Sequence, residues 1–242
     1  MTTDSEARSA SEADTRETPA SKKLNKLGAK LPKKVAQLQI DIPELKLGIL
    51  TLTLKGTTPL IMHKFSVKSR EQMGKKQQGQ AQHKKAPKVP TDCFLESLYT
   101  LDGKMPKLVK KNDNYYAAGK FGFPAGGFKK AAVSAADQTG LRATTVNKAF
   151  HVIGDLIEIK SQPPVMREDI VRIGGMTKVA DLRYRGEFRD WNATLTIRYN
   201  ANVITPGQIA NLFNVAGFAV GIGEWRPQRS GSSGMFEVAT KG

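Results

Sequence analysis

Fourteen residues near the C-terminus, Gly221-Ile-Gly-Glu-Trp-Arg-Pro-Gln-Arg-Ser-Gly-Ser-Ser-Gly234, gather the side chains suited to holding a polyanion. Glycines such as Gly221 and Gly223 let a backbone approach another group closely or take positive φ. Arg226 and Arg229 carry planar forks that match phosphate oxygens. Trp225 offers a face on which a base can stack. The same composition also suits a surface turn in which Trp225 fills a gap in the core. Glu224 is placed to fix the loop by pairing with a nearby arginine.

The rest of the chain favours the polyanion. The formal net charge is +16 and the sequence pI about 9.9, an excess that speaks for nucleic acid first and an acidic membrane surface second. Between residues 64 and 90, Lys64, Lys68, Arg70, Lys75, Lys76, Lys84, Lys85 and Lys88 stand against the single acid Glu71. With few apolar residues there, the stretch reads as a mobile basic loop or arm. Lys107, Lys110 and Lys111 follow in a second loop. Lys129 and Lys130 come directly after the apolar Phe128 and should face solvent. These segments are expected to converge on the glycine loop. Phe121-Gly-Phe-Pro-Ala-Gly-Gly127 is either a tight strand-to-helix turn or a set of N–H groups for a phosphate.

Arg167, Arg172, Arg183 and Arg185 are different, because five acids lie among them in residues 161–190. They read as internal ion pairs holding an insertion in shape, or as a protomer interface. Glu168 and Asp169 are adjacent, so on a strand they point apart and make no two-metal site. Cys93 is the one cysteine, so no internal disulfide forms, and the three histidines are scattered. No metal, cofactor, Walker loop or dinucleotide fingerprint is expected. No run reaches the roughly 18 apolar residues of a membrane helix, and the acidic start is unlike a signal peptide. A cytoplasmic protein is expected.

Elements must position these residues. Residues 1–44 read as a tail, acidic and then basic, and residues 45–242 as one domain. Ile49–Leu54 and Ala193–Tyr199 alternate with period two, as half-buried strands do. Phe150–Ile153 and Leu156–Ile159 read as strand pieces, and Met235–Val238 as the last strand. Pro124 to about Ala136 is a helix with Phe128, Ala131, Ala132 and Ala135 on one face, stopped near Gly140. Thr205-Pro-Gly-Gln208 is a capping box opening a helix with the stripe Ile209, Leu212, Phe213, Ala216. Thr91–Leu98 reads as a short capped helix. Without insertions at about 62–118 and 161–190, the last expected to be irregular, the order is strand, helix, strand, strand, helix, strand. The fold class is α+β, a modified RRM- or ferredoxin-like antiparallel sheet with two helices and two large insertions.

This element order, with a glycine-rich loop between the second helix and last strand, resembles the RAMP superfamily of CRISPR-associated proteins. Within it the chain is most similar to the backbone subunit of effector complexes, and it also resembles phage-encoded relatives. The resemblance spans roughly residues 45–240, and its specific part is the last third. The Lys/Gln-rich stretch 64–90 matches no defined thumb segment of that family. The resemblance implies a protein that assembles as repeated protomers along single-stranded RNA or DNA, without sequence preference, in a prokaryotic cell or a phage-infected host. It also implies a rival. Some RAMP proteins cut RNA without metal through a histidine soon after the first strand, where His63 stands, with Lys64 placed for the phosphate. A histidine there also serves purely structural roles, and no second catalytic partner is evident. A phage structural protein touching packaged genome is the third possibility.

Overall fold

Two antiparallel sheets make up the architecture, and the computed structural model describes them over residues 42–80, 87–173 and 179–239. Nearly all of the tail, together with Lys84 and Lys85, lies outside the described residues. In chain order the elements are β1 (Leu47–Gly56), β2 (Leu60–Met62), α1 (Val67–Gln77), α2 (Pro90–Glu96), β3 (Lys107–Lys111), β4 (Asn114–Ala118), β5 (Phe121–Pro124) and α3 (Ala125–Ser134). There follow α4 (Ala143–Ala149), β6 (Phe150–Val152), β7 (Leu156–Lys160), β8 (Val165–Ile173), β9 (Val179–Phe188), β10 (Asn192–Asn200), α5 (Pro206–Ala219) and β11 (Phe236–Val238).

The main sheet runs β11-β1-β10-β7-β5. β6 and β7 share the free side of β10 in turn, β6 against Ile197–Tyr199 and β7 against Asn192 and Ala193. They act as one interrupted strand. Counting only strands joined by helical crossovers, the order is fourth, first, third, second, which is the ferredoxin-like arrangement. Period-two alternation sets its faces. Leu52, Leu54, Ala193, Leu195 and Ile197 are buried, while Thr51, Thr53, Thr194 and Thr196 line the open side. Thr53 and Thr194 sit opposite one another with their hydroxyl oxygens 3.3 Å apart.

Two helices cover the buried side. In α3, Phe128, Ala131 and Ala132 face inward, as does Ala135 at its cap. Pro124 belongs to β5 and caps α3, one residue before the helix rather than inside it. In α5 the capping box is complete: Thr205 accepts from the Gln208 N–H, and the Gln208 side chain accepts from the Thr205 N–H. Its inner residues Ile209, Leu212, Phe213 and Ala216 are all buried. Full burial of a side chain such as Leu212 is worth about 1.5–3 kcal/mol. Gly221 ends the helix at φ +65°, its N–H reaching the Ala216 carbonyl, a turn that favours glycine.

The second sheet, β2-β9-β8-β4-β3, is built by the two insertions together. Residues 161–190 are therefore not irregular. β8 and β9 pair over nine positions, from Val165 opposite Glu187 to Ile173 opposite Val179. The inner positions of this hairpin carry charges, which hides the strand from a reading based on apolar alternation. The basic stretch after residue 64 is not wholly a loop either. Val67–Gln77 is a helix with no buried residue, capped by the Ser66 hydroxyl at the Ser69 N–H. Strong helix formers and a good cap hold it in place of packing. α2 begins at Pro90 behind Val89, and no side chain caps it, so Thr91 does not play the capping role expected of it.

Candidate nucleic-acid interface

The glycine loop leaves α5 at Gly221 and folds back on itself. Ile222 donates to the Gly234 carbonyl, and Ser233 donates to that of Trp225. Two further bonds tie the loop to the second sheet: Glu224 donates to Ile61 and Gly234 to Pro59, at 2.9 and 2.8 Å. A Cβ on Gly234 would stand 1.8 Å from the Ile222 carbonyl oxygen, at a φ of +68°. Gly223 and Gly231 likewise face backbone, of Ile61 and Trp225. These glycines let the loop pack against its own chain, a different use from the close approach to a ligand that composition suggests. Trp225 does not plug the core; it is 39% exposed and sits at φ +52°.

The loop's arginines divide. Arg226 donates Nη1–H to the Gly223 carbonyl at 2.9 Å and two further N–H groups to Gln228 Oε1. A guanidinium has five N–H donors, so two have no partner among the described residues. Arg229 ends a short 3₁₀ turn, Pro227–Arg229, and is exposed. Next to the loop lies α3. Lys130, Phe123 and Gly127 form one wall of a groove of about 130 Å³, and Gly221, Gly223 and Arg226 form the other. Lys129 goes elsewhere, its Nζ lying 3.2 Å from His151 Nδ1 on β6. The Ala125 N–H at the start of α3 is taken by the Asp155 carbonyl, so the tight-turn reading holds for that donor.

A larger cleft of about 350 Å³ lies between α1, α2 and the first half of β9. His63, Lys64, Lys68, Lys88 and Arg183 line it beside Asp92, Glu96 and Asp181. Lys68 meets Glu96 at 3.8 Å, and Asp181 takes both Lys88 and Arg183. The Lys88 bond holds the Asp181 carboxyl below the usual carboxylate range. Burial, aided by Arg185 and Arg183, pushes the His63 imidazole below its ordinary value, against a smaller opposing pull from Glu224. Its Nδ1 is buried and meets no hydrogen-bond partner among the described residues. Lys64 lies over the Tyr99 ring. Arg70, Lys75 and Lys76 stand exposed on α1.

The expected convergence of all basic segments does not occur. β3 is the edge of the second sheet opposite β2, and β2 is the strand that touches the glycine loop. Lys107, Lys110 and Lys111 therefore form a separate exposed patch, in which Lys110 approaches Asp113 at 3.7 Å.

The hairpin arginines are largely spent inside the chain. Arg189 Nε meets Glu187 at 2.7 Å, and Arg167 joins Glu187 at 3.0 Å to Asp169 at 2.8 Å. Arg185 carries the ladder on, from Asp169 at 3.2 Å to Glu224 of the glycine loop at 3.7 Å. The Arg185 and Asp169 side chains are only 7% and 6% exposed. The Asp169 hydrogen bond holds the Arg167 guanidinium above its ordinary value, with burial opposing. Burial raises the Glu187 carboxyl, but Arg189 and Arg167 together outweigh it and leave the group lowered. Arg183 lies 2.8 Å from Asp181 without hydrogen-bond alignment. Arg172, opposite Ala180, is exposed and has no ion pair among the described residues.

Sequence reasoning placed Glu224 against an arginine without identifying Arg185, which lies 39 residues away on β9. It missed Phe123 and Gln228 as groove residues. The signal for Phe123 was its place one turn before Gly127, where a Cβ would strike the ring at 2.5 Å.

Among the described residues no cluster of three or more His, Cys, Asp or Glu side chains is placed to hold a metal ion, and no helix is long and apolar enough to cross a membrane. No protein-family model and no curated protein matches the chain. Among solved structures it is similar to Cmr6 from Pyrococcus furiosus, at 10% identity and a TM-score of 0.37, over 81% of this chain and 100% of that one. A likeness of that depth carries no argument about this protein.

Proposed function

We propose that this protein binds single-stranded RNA or DNA through its phosphates, without reading sequence, and that protomers assemble side by side along the strand. It acts as a binder rather than a catalyst. The observation that carries the reading is the groove between α3 and the glycine loop that Lys130 and Arg226 both line, with Arg229 exposed on the same loop. The exposed Arg70, Lys75 and Lys76 of α1 extend the contact, and the overall charge of +16 supplies the long-range attraction. A guide-like RNA is the strand that the resemblance to effector backbone subunits favours.

Binding of this kind works by counterion release, so affinity falls by about 0.7 log unit per log unit of salt for each phosphate neutralised on a single strand. Titrating a labelled strand from about 50 mM to about 200 mM salt should show a loss equivalent to several phosphates per protomer. Absence of binding, or a flat response, overturns the reading. Electron microscopy with and without the strand tests assembly: filaments that need the strand support it.

One observation favours a second reading. His63 is held toward its neutral form, as a general base must be, in a cleft that also contains Lys64. Cleavage of a hairpin RNA that disappears in His63→Ala would establish that activity.

A further inference from the structure

The groove beside the glycine loop has two kinds of lining. Its floor is apolar: the half-buried Phe123 ring, Ala131, Val220 and Ile222. Its rim is polar: Lys130, Ser134, Arg226 and Gln228. At about 130 Å³ it is well below the roughly 300–1,000 Å³ of pockets that enclose a drug-sized molecule, and it fits one planar ring system better than a whole nucleotide. We infer that this groove holds a single nucleobase of the bound strand, inserted between the Phe123 ring and the glycine loop. The inference rests on the strand-binding reading of this face and adds a base contact to it.

Three features make the groove suit a base. Phe123 is set by edge contacts with Tyr99 and Phe128, at ring separations of 6.4 and 5.6 Å. Fixed from behind, it presents an apolar surface at little entropic cost. Gln228 accepts from Arg226 through Oε1, because arginine can only donate. That assignment leaves the Gln228 amide N–H groups for a base edge. Every base carries an acceptor on its edge, so the Gln228 amide donors tolerate all four and keep binding independent of sequence. Lys130 and Arg226 stand at the rim, where the phosphates flanking an inserted base would lie.

The test compares two strands of equal length and charge, one intact and one with every base replaced by an abasic site. Each is titrated against the full chain. The intact strand should bind about tenfold more tightly, the value of roughly one stacked base, and Phe123→Ala should narrow that gap. Equal affinities overturn the base pocket and leave phosphate binding standing. Failure of both strands to bind overturns the parent reading instead. Phe123 also packs against its neighbours, so a second measurement uses the unaltered protein. A strand containing 4-thiouridine is irradiated in the complex and the attachment point mapped. Attachment at Phe123 or within 220–228 supports the pocket. Attachment confined to α1 or β3 overturns it.

Discussion

The two strands β8 and β9 together, and helix α1, each carry four cations: Arg167, Arg172, Arg183 and Arg185 in one, Lys68, Arg70, Lys75 and Lys76 in the other. Their fates differ. Three of the hairpin arginines are held by acids of the same chain, and Arg185 is nearly enclosed. On α1, among the described residues, only Lys68 meets an acid, at 3.8 Å with its side chain largely exposed, an arrangement worth little. What separates the two regions is the company the cations keep. Charged residues at every second position, acids among the arginines, let a hairpin neutralise its own cations across the ladder. A helix with one acid leaves its lysines to solvent and to any polyanion that arrives. Net charge in a sequence is therefore a poor measure of charge available for binding.

The comparison is easiest to break at Arg185. Replacing it with methionine leaves the buried Asp169 with Arg167 alone and removes the partner of Glu224, which should cost about 1.5–3 kcal/mol; denaturant unfolding measures it. Converting Arg185, Asp169 and Glu224 together to apolar residues of similar volume should cost far less. A small loss in the single variant would mean the ladder contributes little.

The next effect is on binding. Substituting glutamine for Lys68, Arg70, Lys75 and Lys76 together should leave stability within about 0.5 kcal/mol per site. The salt slope of strand binding should fall by about 0.7 for each phosphate that α1 no longer neutralises. An unchanged slope would show that α1 takes no part, and the contrast with the hairpin would lose its functional meaning.

Smaller effects follow pH. The His63 pKa is lowered on folding, so its contribution is whole above the unfolded value of about 6.5 and shrinks as pH falls through the folded value. His63→Asn should flatten the stability curve below about pH 6.5. The Glu187 carboxyl is also lowered. Its contribution is whole above about pH 4.3 and fades as acid protonates it, so Glu187→Gln should remove part of the acid-side slope. Both are read from denaturation midpoints across pH, and an unaltered curve in either variant contradicts the corresponding assignment.

The same contrast explains what was legible in the sequence. The main sheet and its helices were readable because their signals are local: alternation in Ile49–Leu54, and a capping box at Thr205 that forms as expected. The β8–β9 hairpin escaped because its inner face is Arg167, Asp169, Arg185 and Glu187, a period-two pattern written in charge. Helix α1 escaped because nothing on it is buried, so no apolar stripe marks it. Of the candidate interface, the glycine loop's place in the fold was readable. The roles of its glycines were not, because Gly223 and Gly234 answer to Ile61 and Ile222, neighbours that only the folded chain brings near. The same holds for the split between Lys130 in the groove and Lys129 at His151.

The central claim is that phosphates lie along the glycine loop and α3, and it is tested most directly by one set of salt titrations on three proteins. Lys130→Gln combined with Arg229→Gln should lower the slope of the unaltered protein by about 1.4, the equivalent of two phosphates on a single strand. Arg172→Gln on the hairpin should leave it unchanged. An unaltered slope in the loop-face variant, with a reduced one in the hairpin variant, would contradict the account.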